Sequence, residues 1–255
     1  MSFKMPRRPI NLATVFIIFC TLLWGCGKEK VALDLTPPET PQFVARSADT
    51  ALVEQGIDAV PEGDYIKIVW QAVYDEDMGG YRIYRQREDS ILTLPRLIAD
   101  LPIQELGGQA TPTYLDMADS ILAPDLNSGL SLGFYYWVSA YDQAGNESAL
   151  SSPVYYKLIP KAEPNNPAPP GDSLVMTWGY SQSQGFQTAY FVIRLFTGTE
   201  NGWVPFWMAT HELFNQWQVV YPQSLPPGNY LYQVDVVGSS SLPSGSEAAV
   251  EFSVN

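Results

Sequence analysis

Apolar and polar residues alternate along several short segments of the chain. In the first of these, Ile66, Ile68 and Trp70 occupy every second position and therefore share one face. The same period recurs in Gly80–Arg85 and in Phe134–Ala140. Alternation of this kind is typical of β-strands that bury one face. Residues that favour turns separate the segments, and short strands divided in this way predict a β-sandwich.

The order of these segments repeats in the second half of the chain. Leu174–Trp178 corresponds to Ile66–Trp70, and the tryptophans that end the two segments lie 108 residues apart. Tyr190–Arg194 then corresponds to the segment that begins at Tyr81, and Tyr230–Val236 corresponds to the third segment of the first half. A fixed order with similar spacing predicts an internal duplication.

Several of these residues carry a resemblance to a known family. Trp70 lies on the second predicted strand, Gly80–Arg85 on the third, and the loop Tyr141–Ser148 follows the long aromatic strand. In the second copy, Leu225–Tyr230 resembles a tyrosine corner, whereas the first copy has Phe134 at that position. Both copies resemble fibronectin type III domains. The resemblance implies an all-β fold of two tandem immunoglobulin-like β-sandwiches.

The N-terminus predicts export. Basic residues at its start precede an apolar run, Leu12–Trp24, that is short for a membrane span, and a small residue follows, as in a secretory signal. Leu23–Cys26 resembles a lipoprotein processing site, which implies cleavage before Cys26 and a lipid on that cysteine. Gly27, in place of an acidic residue, favours the outer membrane by resemblance to enterobacterial sorting. We therefore expect a lipid-anchored protein of the cell envelope, on its periplasmic or its surface side.

These patterns divide the chain into five parts. Proline and asparagine are frequent between the two copies, which is typical of a stiff boundary segment. The predicted parts are a signal peptide at 1–25, a lipid-anchored tether at 26–36, a first sandwich at 37–158, a linker at 159–171 and a second sandwich at 172–255.

The acidic composition limits the partners. The formal charge of the chain is −13, and residues 1–25 contain three cations and no acid, so the processed chain has a charge of −16. Such a chain is repelled by phosphate backbones, which argues against nucleic-acid binding. We expect contact with the membrane through the lipid anchor and with another envelope protein.

Catalytic machinery is scarce in the sequence. His211 is the one histidine, no Gly-x-Ser-x-Gly motif occurs, and Cys26 would be the only cysteine left after processing. These residues cannot form a zinc site or a histidine-activated nucleophile pair with a free thiol. We therefore expect no enzymatic activity and no cofactor. Paired carboxylates that cleave a glycosidic bond are the least favoured alternative.

Two predicted loops bring oxygen ligands to one end of the first sandwich. Asp75 and Asp77 lie between the second and third strands, and Asp142 and Asn146 lie in the last hairpin. Such ligands suit a hard cation, so calcium is one interpretation. The other, which we favour, is that both loops are ordinary solvated turns in which Asp142 and Asn146 bond their own backbone.

Aromatic residues are concentrated in the second copy. Alternation from 203 to 208 predicts Trp203 and Trp207 on one face of a strand, with Pro205 between them. The cluster, which offers rings able to stack on sugars or anchor a protein partner, consists of Trp203, Phe206, Trp207, Phe214 and Trp217. Packing in the core or between domains is the alternative. Trp203, Trp207 and Trp217 are the candidate binding residues.

These observations together predict a non-catalytic cell-envelope lipoprotein that acts as a protein-interaction or scaffolding module. Rigid sandwiches on a tether present loops and sheet edges to partners, although a fold alone does not define a function. The alternative is a carbohydrate-binding lipoprotein that uses the tryptophans of the second sandwich.

Overall fold

β-Strands make up most of the computed structural model, which describes residues 34–90, 92–167, 173–181, 186–212 and 217–255. The strands within these ranges are β1 (Asp58–Val60), β2 (Tyr65–Val69), β3 (Met78–Arg87), β4 (Arg96–Pro102), β5 (Thr113–Asp116), β6 (Gly133–Asp142), β7 (Val154–Leu158), β8 (Glu163–Pro164), β9 (Leu174–Gly179), β10 (Thr188–Thr199), β11 (Gly202–His211), β12 (Gln218–Tyr221), β13 (Gly228–Gly238) and β14 (Ser244–Val254). The helical elements in the same ranges are a 3₁₀ turn at Ile103–Leu106 and the short helix α1 (Asp119–Leu122). The predicted all-β class is confirmed.

The first sandwich places a three-stranded sheet, β1-β2-β5, against four strands in the order β4-β3-β6-β7. All neighbouring strands within it are antiparallel. The predicted alternation in β2 is confirmed, because Ile66, Ile68 and Trp70 are fully buried. The Trp70 ring meets the ring of Tyr81 on β3 edge to face, with their centroids 5.3 Å apart. This contact ties the two sheets together across the core.

The second sandwich repeats the arrangement. Its three-stranded sheet has the order β12-β9-β8, and its four-stranded part has the order β11-β10-β13-β14. Trp178 on β9 occupies the place of Trp70 and packs on Phe191 of β10 at 5.6 Å between centroids. The same pairing of three and four strands in both copies confirms two tandem sandwiches, and the internal duplication stays a prediction.

The predicted tyrosine corner is present in the second sandwich. The hydroxyl of Tyr230 donates to the backbone carbonyl of Pro226 at 2.8 Å. Phe134 has no hydroxyl and is instead a buried core residue of the first sandwich.

The two sandwiches share one sheet. Strand β14 of the second pairs in parallel with β7 of the first, with Ser244 opposite Lys157 and Gly245 opposite Leu158. The four-stranded parts are thereby joined into one eight-stranded sheet, which forms one layer of both sandwiches. Gly245 allows this approach, because a Cβ there would lie 2.8 Å from the hydroxyl oxygen of Tyr156 and 2.9 Å from the carbonyl oxygen of Val236.

The start of the predicted linker belongs to the second sandwich. Ile159 and Ala162 are buried in its core, and β8 pairs with β9. Between them, the ammonium of Lys161 donates to backbone carbonyls of the first sandwich, at 3.2 Å for Val60. The chain therefore passes from one core to the other within a few residues.

No helix in the described part of the chain has the length and apolarity needed to cross a bilayer. The predicted signal peptide and Cys26 lie outside the described residues.

Candidate functional site

One face of the second sandwich carries polar side chains that are nevertheless buried. Alternation on β10, β13 and β14 turns Arg194, Gln233, Asp235 and Glu247 away from the second core. All four are shielded from solvent. The cover is the loop of the first sandwich that precedes β1, residues 46–57, so this face is the contact between the two sandwiches.

Arg194 is the centre of that contact. Its side chain is 1% exposed, and its guanidinium donates to the backbone carbonyl of Ala51, 3.0 Å from Nε and 2.9 Å from Nη2. It also pairs with the carboxylate of Glu54 at 2.8 Å and with the carboxylate of Asp235. An arginine suits this position because its planar group bonds several acceptors at once. The contacts hold a loop of the first sandwich against the sheet of the second.

A groove of about 590 Å³ opens beside Arg194, between the sandwiches. Its walls combine aromatic, aliphatic and charged side chains from both sandwiches, which are Leu52, Val53, Glu54, Val60, Pro61, Glu62, Lys67, Arg194, Phe196, Trp203, Pro205, Leu231, Gln233, Glu247, Ala249 and Glu251. Its size and its place between domains are typical of ligand-binding sites. We call it the junction groove.

Trp203 is the predicted binding residue that lies in this groove. It is 38% exposed and sits opposite Gly198 in the register of β10 and β11. The ring reaches over that glycine, where a Cβ would lie 3.1 Å from Cζ3 of the indole. The absence of a side chain at 198 therefore lets the indole lie close to the strand while it remains accessible.

The prediction that Trp207 shares a face with Trp203 is wrong. Pro205 lies opposite Phe196 and Trp207 opposite Leu195, so Phe206 is an extra residue in β11 that forms a β-bulge. An extra residue reverses the faces of the side chains that follow it. Trp207 consequently packs on the second core and against Tyr221, with ring centroids 5.5 Å apart.

Trp217 also packs against the second core. Its ring lies 5.6 Å from the ring of Phe191 and 6.1 Å from that of Tyr180, measured between centroids. Phe206 is exposed and makes an edge contact with Tyr221 at 6.0 Å. Phe214 lies outside the described residues. Trp203, Trp207 and Trp217 therefore do not form one flat platform, and Trp203 is the one directed into the groove.

Three carboxylates meet at the inner end of the junction groove. Oxygens of Glu54, Asp58 and Glu247 all lie within 4.8 Å of one another. Burial and the negative charge of Asp58 raise the pKa of Glu54 to about 7. Burial, followed by the charges of Glu54 and Asp58, raises the pKa of Glu247 well above its ordinary value. The cluster is not apparent from the sequence, because Glu247 is distant along the chain from Glu54 and Asp58 and belongs to the other sandwich.

The acidic loops at the far end of the first sandwich are near one another. The amide of Gln143 donates to the carbonyl of Asp77 at 2.8 Å. The carboxylate of Asp142 accepts hydrogen bonds from Asn146, at 2.8 Å from its backbone amide and at 2.7 Å from its side-chain amide. These are the bonds within the loop that the solvated-turn interpretation describes. Asp75 lies beside them on the wall of a separate apolar pocket of about 430 Å³.

His211 lies at the end of β11, opposite Phe191. Its imidazole meets the ring of Trp178 edge to face at 5.2 Å between centroids. This position places the imidazole against the core of the second sandwich, on the opposite side of β10 from Arg194.

No protein-family model matches the sequence, and no curated protein is significantly similar to it. The FN1–FN3 domains of chicken CNTN1 are 14% identical over 86% of this chain and 67% of theirs, with a TM-score of 0.32. A two-domain fibronectin type III segment of chicken tenascin is 10% identical over 86% of this chain and 100% of its own, with a TM-score of 0.31.

A third solved structure is similar to part of the chain. It is the spore cortex lytic enzyme SleM of Clostridium perfringens, which is 17% identical over 48% of this chain and 28% of its own, with a TM-score of 0.28. TM-scores of this size carry no argument about activity, and the fold assignment rests on strand order. Each sandwich pairs three strands with four in the order described above, so both have a fibronectin type III-like fold.

Proposed function

We propose that the chain is a non-catalytic binding module of the cell envelope, anchored by a lipid on Cys26, with the junction groove as its binding surface. The observation that carries the proposal is the exposed indole of Trp203 in a groove built by both sandwiches. A large aromatic ring at the wall of a preformed groove is the kind of residue that dominates binding energy at interfaces.

The junction supports this role because it fixes the shape of the groove. The shared sheet at β7 and β14 and the bonds of Arg194 to the loop before β1 both join the two sandwiches. A groove that is held in place before binding saves the ordering entropy that a flexible site loses. The arrangement therefore favours a scaffold that presents one defined surface.

The free edge of β11 favours a protein as the partner. Strand β11 is the last strand of the eight-stranded sheet, and among the described residues no strand pairs with its outer edge. It displays Trp203, Val204 and Phe206, all exposed. An extended segment of a partner can add to such an edge through backbone hydrogen bonds and place side chains against the aromatic rings.

Co-purification from detergent-solubilised envelope tests the proposal. The full chain with Cys26 intact should retain a stoichiometric protein partner, and Trp203→Ala should lose it. Tyr74→Ala is the matched control, because Tyr74 is an exposed aromatic residue remote from the groove. Recovery of the wild-type chain alone, or equal retention by the Trp203→Ala chain, would contradict a protein partner at this groove.

Carbohydrate is the second candidate ligand, supported by the polar groups around Trp203. The side chains of Glu62, Gln233 and Glu251 line the same groove. Carboxylates and amides can bond sugar hydroxyls while an indole stacks on the ring. A glycan array separates the candidates: saturable binding that Trp203→Ala abolishes would favour sugar, and an array without signal would exclude the glycans it displays.

A further inference from the structure

The carboxylate cluster at the inner end of the groove contains one group that no hydrogen bond or ion pair compensates. Asp58 accepts a hydrogen bond from the hydroxyl of Tyr156 at 2.7 Å and pairs with Arg46 at 3.3 Å. Glu54 pairs with Arg194. Glu247 is 6% exposed, and among the described residues no donor bonds its carboxylate and no cation lies within salt-bridge distance of it. A buried carboxylate in that state is costly unless something neutralises it.

The charges around the cluster do not balance. Besides the three carboxylates, Asp49 pairs with Arg46 and Asp235 pairs with Arg194. Lys67, which lies opposite Asp58 in the register of β1 and β2, is the third nearby cation. Five carboxylates surrounded by three cations leave two negative charges when all are ionised. One divalent cation would balance these two negative charges.

The carboxylates also border a small internal space. A void of about 10 Å³ lies between the loop before β1 and strands β13 and β14, and Glu54, Asp58 and Glu247 are among the residues that line it. A space of roughly that volume is at the lower limit for one water molecule or ion. The unpartnered side chain and the void are separate observations, and both indicate an occupant.

We propose that this junction binds one divalent cation through the carboxylates of Glu54, Asp58 and Glu247. Glu54 and Asp58 belong to the first sandwich and Glu247 to the second, so the cation joins the two. Carboxylate oxygens without nitrogen or sulfur donors suit a hard ion, and calcium tolerates irregular ligand arrangements better than magnesium. The proposal is independent of which partner occupies the groove.

A proton is the competing occupant, and binding experiments can tell the two apart. Without a cation, burial favours the protonated form of Glu54 and Glu247, because it raises the pKa of both groups, so protons neutralise the cluster instead. A cation must displace them, because ligating carboxylates are ionised. Calcium binding is therefore expected to release protons and to strengthen as the pH rises from 6 to 8.

Titration calorimetry of the full chain with CaCl₂, repeated with MgCl₂, tests the site. We expect one calcium per chain, with proton release seen as different heats in two buffers of unlike ionisation enthalpy. Calcium at 100 times its Kd should raise the melting temperature by about 5–10 °C for a chain of this size. Glu247→Gln should lose both effects. Asp75→Asn is the control, since Asp75 lies in the acidic loop of the first sandwich, and it should retain both.

Glu247→Gln also separates loss of the site from loss of the fold. The amide has the size of the protonated carboxyl group and cannot ionise, so in EDTA this variant should melt at or above the wild-type temperature. Absence of calcium binding at millimolar concentration, or undiminished binding by Glu247→Gln, would overturn the proposal. Loss of binding in Asp75→Asn would place the ion at the other acidic loops and overturn it as well.

Discussion

Arg194 is a charged residue on a strand with apolar neighbours, and it is almost completely removed from solvent. Its charge is compensated by the buried carboxylates of Glu54 and Asp235 and by backbone carbonyls of the loop before β1. Burial of these ion pairs costs free energy of desolvation. Removal of one partner costs more, because the charge left behind is buried without compensation. Arg194 therefore links the stability of the second sandwich to the first.

Replacement of Arg194 measures that link. Arg194→Met should lower the free energy of unfolding by about 3–5 kcal/mol, because it leaves the carboxylate of Asp235 buried and unpaired. Arg87→Met is the control, since Arg87 pairs with the exposed Asp89, and it should cost less than about 1 kcal/mol. Urea denaturation gives both values. Equal losses in the two variants would show that the buried network does not stabilise the junction.

The tyrosine corner offers a second test at a single residue. Tyr230→Phe removes the hydrogen bond to Pro226 and should cost about 1 kcal/mol in the free energy of unfolding. Tyr221→Phe serves for comparison, because its hydroxyl bonds the side chain of Gln223 in an exposed position. A Tyr230→Phe chain as stable as the Tyr221→Phe chain would mean that the corner contributes nothing.

Core residues were the part of the structure that the sequence predicted well. Trp70 and Trp178 are recognisable because a two-residue period of apolar side chains reports burial directly. Arg194 was placed on the correct strand, but its role was missed. Its partners Asp49 and Ala51 lie more than 140 residues earlier in the chain, and nothing local to Arg194 indicates them.

At the scale of elements, the existence and order of the strands were predictable and the local irregularities were not. The alternation from 203 to 208 misled because Phe206 forms a bulge, which moves Trp207 to the core side. A bulge adds one residue without a distinctive composition, so a period-two pattern continues through it unnoticed. The loop at 141–148 was easier to predict, because its turn depends on short-range hydrogen bonds between Asp142 and Asn146.

The parallel contact of β7 with β14 makes a prediction at this scale. Gly245→Ala places a methyl group within 3.0 Å of the hydroxyl of Tyr156 and of the backbone of Val236, so the strands must separate. The expected cost is about 1–3 kcal/mol, typical of overpacking. Gly179→Ala is the matched control in β9, where the nearest atom to the new methyl belongs to Glu163 at 3.8 Å.

Urea unfolding, monitored by tryptophan fluorescence, measures the stability of the two variants. Loosening of the joint should broaden the Gly245→Ala transition or divide it into two, whereas the Gly179→Ala chain should unfold as the wild type does. A Gly245→Ala chain with an unchanged transition would show that the shared sheet does not couple the two sandwiches.

At the scale of the whole molecule, the sequence predicted two sandwiches but not the contacts between them. Each sandwich is specified by patterns within its own copy. The junction depends instead on contacts such as the ion pair of Arg194 with Glu54, in which each residue alone resembles a solvated polar residue. The candidate site was predictable to the extent of Trp203, because its aromatic character is visible in the sequence. The groove and its carboxylates became visible only when the two copies were assembled.

Stability should fall as the pH rises through neutrality when no divalent cation is present. Burial and the charge of Asp58 raise the pKa of Glu54 from 4.5 to about 7, so between those values the folded chain binds more protons than the unfolded chain. The stabilisation is complete below about pH 4.5 and is lost as the pH rises through about 7. The loss between pH 5 and 8 should be on the order of 3 kcal/mol.

The pH range distinguishes the loss of stability caused by Glu54 from the effects of other carboxylates. Burial opposes ionisation of Glu147, but hydrogen bonds from Ser139 and Tyr84 outweigh it and hold the pKa of Glu147 below its ordinary value. A group of that kind loses its stabilisation as the pH falls below about 4.5, outside the interval from 5 to 8. Urea denaturation in EDTA at several pH values, with the wild type and the double variant Glu54→Gln/Glu247→Gln, isolates the cluster. The variant should be almost insensitive to pH in this interval, and a wild-type chain that is equally insensitive would show that the carboxylates do not gain protons on folding.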